Sequence, residues 1–386
     1  PRREIDDFAS RLPFDLTGAQ RRVTDDILDD LEKRIPMSRL LQGDVGSGKT
    51  VIAMTAMLAT VRNGLQAALM APTSILAEQH YETISSMLEG WPDIHCTLLS
   101  GSFSDAEKRR VRGEIFHGRA QIIVGTHALI QDSVDFARLG LVVVDEQHRF
   151  GVAQRAALRD KGAAFVPHLL AMSATPIPRT LALTIYGDMD ISVLDEMPPG
   201  RQGTVTAVRG KRSRERVYSF IKSQIQGGRQ AFIVCPFIEE SHTIDAKGAV
   251  AEHKRLQEQI FPGLRLGLLH GHMPAQEKGR TMADFRAGNY DILVCTPLVE
   301  VGVDVPNATV MLIEGAERFG LAQLHQFRGR VGRGRHKSYC ILLSDDPSGE
   351  GLKRIQIMED TYDGFALAEK DLQLRGPGDF FGLRQH

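Results

Sequence analysis

The chain has 386 residues, 42% of them hydrophobic and 25% charged, with a formal net charge of -1. That length exceeds one ordinary core and predicts two or three domains, while the balance of residue types excludes disorder and low complexity as the main character of the chain. Near-neutrality excludes nucleic-acid binding through a field over the whole molecule, so any such contact must come from local positions.

In chain order, Leu12 to Gln20 leads into a helix reaching about Lys33, with Thr17 placed as its N-cap. Gln20, behind Phe14, reads either as a donor and acceptor for an adenine edge or as a plain surface glutamine. Arg39, Leu40 and Leu41 form a short apolar strand, followed by Gly43-Asp44-Val45-Gly46-Ser47-Gly48-Lys49-Thr50. This run matches G-x-x-x-x-G-K-[ST], in which glycines bend the backbone so that its N–H groups surround a phosphate, lysine supplies a point charge and the hydroxyl a magnesium ligand. The helix expected over Val51 to Val61 would turn its N-terminus toward the anion.

Strands and amphipathic helices then alternate: Gln66 to Met70, Ser74 to Leu88, Cys96 to Leu99, Ser104 to His117, Gln121 to Gly125, Leu141 to Val144, His168 to Met172. The rhythm predicts a mostly parallel sheet covered on both faces, with ligands at the carboxyl ends of its strands. At one such end stands Asp145-Glu146-Gln147-His148, where Asp145 is the candidate magnesium ligand and Glu146 the group that orients the attacking water. Ser173 and Thr175, after the next strand, either cap a helix following Pro178 or relay the state of the γ-phosphate.

Asp195 to Gly203, with two prolines and two glycines, reads as an interdomain linker. The α/β rhythm resumes with strands at Arg229 to Pro236, Leu264 to Leu269, Asp291 to Cys295, Thr309 to Ile313 and Ser338 to Leu343, and helices at Ala249 to Ile260 and Pro274 to Arg286. This half lacks a second phosphate loop, so two similar domains would share one nucleotide. Gln326-Phe327-Arg328-Gly329-Arg330-Val331-Gly332-Arg333 sits at a predicted helix end. Arginines placed there could reach a nucleotide held by the other domain and stabilise the transferring phosphoryl, or form a solvated basic turn. From Gly351 to Asp371 the pattern turns helical and reads as an appendage. The expected organisation is therefore 1–196, 197–346 and a short helical hook over 347–386.

The cysteines, Cys96, Cys235, Cys295 and Cys340, form no C-x-x-C pair and read as buried free thiols in a reducing compartment. With no apolar run near the ~18 residues of a membrane span and no apolar signal core, the expected location is the cytoplasm, without a membrane partner. A start at Pro1 and an end in R-Q-H predict a piece of a longer protein.

Together these stretches resemble superfamily 2 helicases: Gly43 to Thr50 as motif I, D-E-Q-H as II, S-A-T as III and Q-x-x-G-R-x-G-R as VI. Closer likeness, in D-E-Q-H-R-F-G-V, S-A-T-P-I-P-R-T-L-A, V-E-V-G-V-D-V-P and the tail Gly364 to Gln385, is to the RecG-type helicases that act on branched DNA. The tail is similar to a translocation motif shared with the transcription-repair coupling factor. The resemblance implies two tandem RecA-like α/β domains, an ATP-dependent DNA helicase using ATP and Mg2+, and catalytic roles for Lys49, Asp145, Glu146, Gln326, Arg330 and Arg333. It places Gly302 and Asp304 near the nucleotide. Pro72, Thr73, Thr126, His127, His270, Gly271 and Thr296 would touch DNA phosphates, which position without reading sequence; each taken singly reads equally as a cap or turn residue. Arg375, Arg384 and Gln385 would couple domain closure to movement along duplex.

The implied partners are branched or duplex DNA and single-stranded-DNA-binding protein, with a monomeric motor. The wedge domain that such enzymes use to split a fork has no counterpart before Gln20, so a motor without its strand separator is expected. Pro297 and Leu298 stand where the family pattern reads T-V, and Leu383 where it reads threonine; the proline removes a backbone donor beside Thr296. A coupling-factor-like translocase, an RNA helicase and a nucleotide-dependent scaffold without turnover remain as rivals.

Overall fold

The computed structural model describes residues 2–101, 103–131, 133–146, 166–175, 187–198, 203–236, 242–297, 305–332, 334, 336–346 and 350–375. These divide into two compact units, the first holding the described residues up to 198 and the second those from 203 on.

In the first unit α1 (Arg2–Arg11) and α2 (Gly18–Leu31) precede β1 (Ser38–Gly43), α3 (Lys49–Arg62), β2 (Gln66–Met70), α4 (Ser74–Met87), β3 (Cys96–Leu99), α5 (Asp105–Phe116), β4 (Ile122–Gly125), β5 (Leu139–Val144), β6 (His168–Ser173) and β7 (Asp190–Leu194). Among the described residues the strands form one sheet in the order β3-β4-β2-β5-β6-β1-β7, with every pairing parallel. The central strands β2 and β5 are buried at every position, which is why they read as continuous apolar runs and not as alternating ones. Helix α3 is apolar all round because it has neighbours all round: Val51 through Val61 are buried, between the sheet and the α1 and α2 layer. Thr17 caps α2 through a capping box, its hydroxyl accepting from the Gln20 N–H while the Gln20 side chain accepts from the Thr17 N–H, a device worth about 1 kcal/mol.

The second unit contains β8 (Thr204–Gly210), α6 (Arg214–Gln226), β9 (Gln230–Val234), α7 (His242–Arg255), β10 (Leu266–Leu269), α8 (Ala275–Arg286), β11 (Ile292–Cys295), β12 (Ala308–Ile313), α9 (Leu321–Arg328), β13 (Ser338–Ser344), α10 (Glu350–Asp360) and α11 (Gly364–Arg375). Its sheet runs β10-β11-β9-β12-β13-β8, again parallel throughout. Each unit therefore repeats the same construction around its own core.

Two strands escaped the sequence reading. β7 ends where the predicted linker begins, and β8 starts one residue after that linker ends, so the punctuated stretch connects two edge strands. Both are only half buried, so neither shows the continuous apolar run that betrayed the central strands. The helical tail is also more closely held than an appendage. α10 packs on β8, α11 packs on α9, and the Arg354 guanidinium donates to the Phe319 carbonyl at 2.9 Å. The helix expected after Pro178 lies outside the described residues.

Candidate functional site

The loop between β1 and α3 has the geometry its glycines predict. Gly46 and Gly48 have φ of 82° and 90°, in the left-handed region, and a Cβ at Gly48 would collide with the side-chain amide of Gln20. The Lys49 ammonium donates to the Gly43 and Asp44 carbonyls, each at 2.8 Å, so it is held over the loop it would share with a phosphate. The Ser47 hydroxyl is fully buried and has no protein partner among the described residues, an orphan of the kind a bound oxyanion would satisfy. Thr50, half-buried, is the second residue of α3.

Gln20 is buried, not a surface glutamine. Its amide nitrogen donates to the Ser47 carbonyl at 2.8 Å while its oxygen serves the α2 cap, so it fixes the cradle to the preceding helix.

Across the edge of the same sheet, Asp145 follows β5, its N–H donating to the Met70 carbonyl at 2.9 Å. One carboxylate oxygen accepts from the Glu146 N–H at 2.9 Å; the other lies 2.6 Å from Nε2 of His80, on α4. Burial would raise the Asp145 carboxyl, and the hydrogen bond and charge of His80, with the charge of Lys49, outweigh it and hold the group below its ordinary value. Glu146 has φ of 49°, alone among the described non-glycine residues in having a positive φ, a conformation costing about 1–3 kcal/mol and typical of functional positions. Ser173 and Thr175 bond to each other through their hydroxyls at 2.8 Å, and Gln42, buried at the end of β1, donates to the Thr175 carbonyl at 3.4 Å. The serine-threonine pair is thus tied to the strand that leads into the cradle.

Hard oxygen donors, the Thr50 hydroxyl and the Asp145 carboxylate, suit Mg2+, which prefers one or two carboxylates plus substrate phosphates to a protein cage. No cluster of three or more His, Cys, Asp or Glu able to cage a metal occurs among the described residues.

Of the positions expected to meet nucleic acid, Thr73 is the N-cap of α4, its hydroxyl accepting from the Leu76 N–H at 3.4 Å, which leaves its own hydrogen to donate outward. Pro72 precedes it, half-buried. Thr126 stands before a 3-10 turn at His127–Ile130 without capping it through its side chain, and His127 is exposed. In the second unit, Thr296 and His270 follow the neighbouring strands β11 and β10, and the Thr296 N–H donates to the Leu269 carbonyl at 3.2 Å. The Thr296 hydroxyl and Nδ1 of His270 are both buried without a protein partner among the described residues, and burial, then His272 and Lys278, pushes the His270 imidazole down. The Gly271 carbonyl accepts from the Lys278 ammonium at 2.6 Å.

Gln326 lies on α9, and Arg330 sits half-buried in the turn that follows, its N–H bonded to the Phe327 carbonyl at 3.0 Å. Arg375 is the last residue of α11. Gln147, His148, Gly302, Asp304, Arg333, Arg384 and Gln385 lie outside the described residues.

Arg328 was only part of a basic run in the sequence; in the fold it is buried. Its guanidinium donates to the carbonyls of Met358 and Thr361 at 2.9 Å and of Tyr362 at 3.1 Å, and it lies over the Tyr362 ring. It therefore clasps the turn between α10 and α11 to the arginine-rich end of α9. Position within an R-x-R run was the only hint, and it cannot distinguish a buried arginine from an exposed one.

A model of the DEAD/DEAH box helicase family matches residues 17–184, and one of the helicase conserved C-terminal domain matches residues 213–335. The two units are thus the tandem RecA-like domains of a superfamily 2 helicase. The chain is 53% identical over 384 residues to the ATP-dependent DNA helicase RecG of Synechocystis, covering 99% of this chain and 46% of that protein. It is 51% identical to RecG of Bacillus subtilis, covering 99% of this chain and 56% of the relative. A solved structure of RecG bound to a three-way DNA junction superposes with a TM-score of 0.85 at 45% identity, over 98% of this chain and 50% of that one. Mss116p bound to single-stranded RNA shares the fold, with a TM-score of 0.71 at 19% identity, over 93% of this chain and 75% of that one. The chain belongs to the RecG-type helicases and spans about half the length of the relatives it matches. No helix among the described residues is long and apolar enough to cross a membrane.

Proposed function

We propose that this chain is the motor of an ATP-dependent helicase that moves along duplex DNA at branch points such as forks and Holliday junctions. The observation that carries the reading is a complete phosphate cradle and an Asp145-Glu146 pair at one sheet edge, in a chain 53% identical to a RecG across 99% of its length. Lys49 and the loop N–H groups would hold the ATP phosphates, with Thr50 and Asp145 holding Mg2+, which neutralises charge on the β- and γ-oxygens. Glu146 would orient the attacking water. Arg330 and Arg333 would approach the transferring phosphoryl from the second unit, Gln326 would support them, and Gly302 and Asp304 would complete the nucleotide's surroundings.

The DNA contacts are assigned to Pro72, Thr73, Thr126 and His127 in one unit and His270, Gly271 and Thr296 in the other. The two buried orphans at His270 and Thr296 favour a ligand that supplies both acceptor oxygens and ordered water, as a phosphate backbone does. Arg328, by its grip on the tail, would pass movement of the arginine-rich turn to Arg375, Arg384 and Gln385.

Steady-state ATPase measurements with a three-way junction, linear duplex, single-stranded DNA and RNA test the reading. The junction is expected to stimulate most and RNA least. Stimulation by RNA above every DNA would overturn the DNA assignment, and absence of turnover with all of them would favour a scaffold.

A further inference from the structure

α4 begins at the proposed DNA contact and ends its second turn at the metal carboxylate. Thr73 caps its first turn, and seven residues on His80 brings Nε2 to 2.6 Å from Asp145. Both side chains are largely buried, at 12% and 13% exposure, so water competes little for the bond. Asp145 accepts from the Glu146 N–H on its other oxygen, so the two donors together fix the rotation of the carboxylate. Thr73 and His80 stand two turns, about 10 Å, apart on one continuous helix, so a phosphate that shifted the N-terminus of α4 would shift His80 with it.

We propose that His80 is a positioning residue that orients the Asp145 carboxylate for Mg2+ and transmits occupation of the DNA contact at Pro72 and Thr73 to the nucleotide site. The inference rests on the function proposed above and adds a route to it. With Asp145 ionised, the Nε2 hydrogen is the donor and the second lone pair of the same oxygen stays available. Outer partners of this kind decide the orientation and basicity of a metal-binding carboxylate, and their loss costs roughly 10- to 100-fold in metal affinity. Nothing in the sequence announces this: a histidine seven residues into a helix and 65 positions from the acidic pair has no motif.

The test uses His80→Leu, which removes the donor while keeping an apolar side chain on α4, and His80→Gln, whose amide nitrogen can replace Nε2. Mg2+ is titrated against binding of a fluorescent ADP analogue without DNA, and the ATPase rate is measured with and without a three-way junction. His80→Leu is expected to need about 10- to 100-fold more Mg2+ for nucleotide binding and to lose most of the stimulation by DNA. His80→Gln is expected to recover both. A leucine variant with the parent's Mg2+ requirement and stimulation would overturn the proposal, as would a glutamine variant that binds nucleotide as poorly as leucine. Should the leucine variant fail to melt cooperatively, the glutamine variant decides alone, by parent-like or weakened Mg2+ dependence. Failure of the broader reading looks different: the parent itself would show no DNA-stimulated turnover.

Discussion

Arg330→Ala is expected to lower ATP turnover by about 10³- to 10⁵-fold while nucleotide affinity stays close to the parent's. The reason lies in where charge develops. Under the proposed function the ground-state phosphates would be satisfied by the loop N–H groups and Lys49, whereas in the transition state charge would spread over oxygens that an added cation would meet. Truncating that cation removes an interaction made mainly at the top of the barrier. Arg330 occupies the turn directly after α9, two positions beyond Arg328, whose guanidinium is committed to the tail. Single-turnover phosphate release and a titration with a fluorescent nucleotide separate the two quantities. A variant with full turnover would remove Arg330 from the reaction.

Lys49→Ala should act on the other quantity. Hydrogen bonds to a charged group contribute about 1.5–3 kcal/mol net, which corresponds to roughly a 10- to 100-fold loss of nucleotide affinity. The lysine also donates to the Gly43 and Asp44 carbonyls, so its loss loosens the loop as well as removing the charge. Because α3 is buried along its length and α2 is capped independently, the fold is expected to survive. Nucleotide titration at fixed Mg2+ reads the effect, and a melting curve verifies the fold. Unchanged affinity would mean that the phosphates sit elsewhere.

How much of this was visible in the sequence depended on whether the physics was local. The cradle was legible because its glycine, lysine and threonine positions encode a backbone shape with little help from elsewhere, and Gly46 and Gly48 adopt the left-handed conformations that shape requires. The central strands were legible because burial on both faces leaves no polar positions. The edge strands β7 and β8 were not, since half-buried alternation beside prolines and glycines looks like a linker. Gln20, His80 and Arg328 were illegible in their actual partners for a different reason. Each acts across 27 to 65 positions of sequence, on a loop carbonyl, a carboxylate and a helical turn, and only the packed chain brings those groups within reach. Glu146 was placed correctly at the strand end, but its positive φ is imposed by surroundings that a sequence does not display.

The second unit repeats the first in architecture but has a different charge pattern at its strand ends, where Glu314 is bonded to Arg214 at 2.9 Å and to Tyr218 at 2.7 Å. Burial followed by the Glu314 charge pushes the Tyr218 phenol well up, so it remains a neutral donor there. An ion pair stands at these strand ends, and the G-x-x-x-x-G-K-[ST] run of the first unit has no counterpart in the sequence of the second.

The proposal that one nucleotide is held by residues of both units can be put to energy transfer between labels on the two units. Cysteines introduced at Arg119 and Ser223, both exposed, would carry the dyes, while the native cysteines are buried. Transfer efficiency should change when ADP–beryllium fluoride and a DNA junction are added together, revert with ADP alone, and stay constant in Lys49→Ala. Identical transfer in every nucleotide state of the parent would contradict the account.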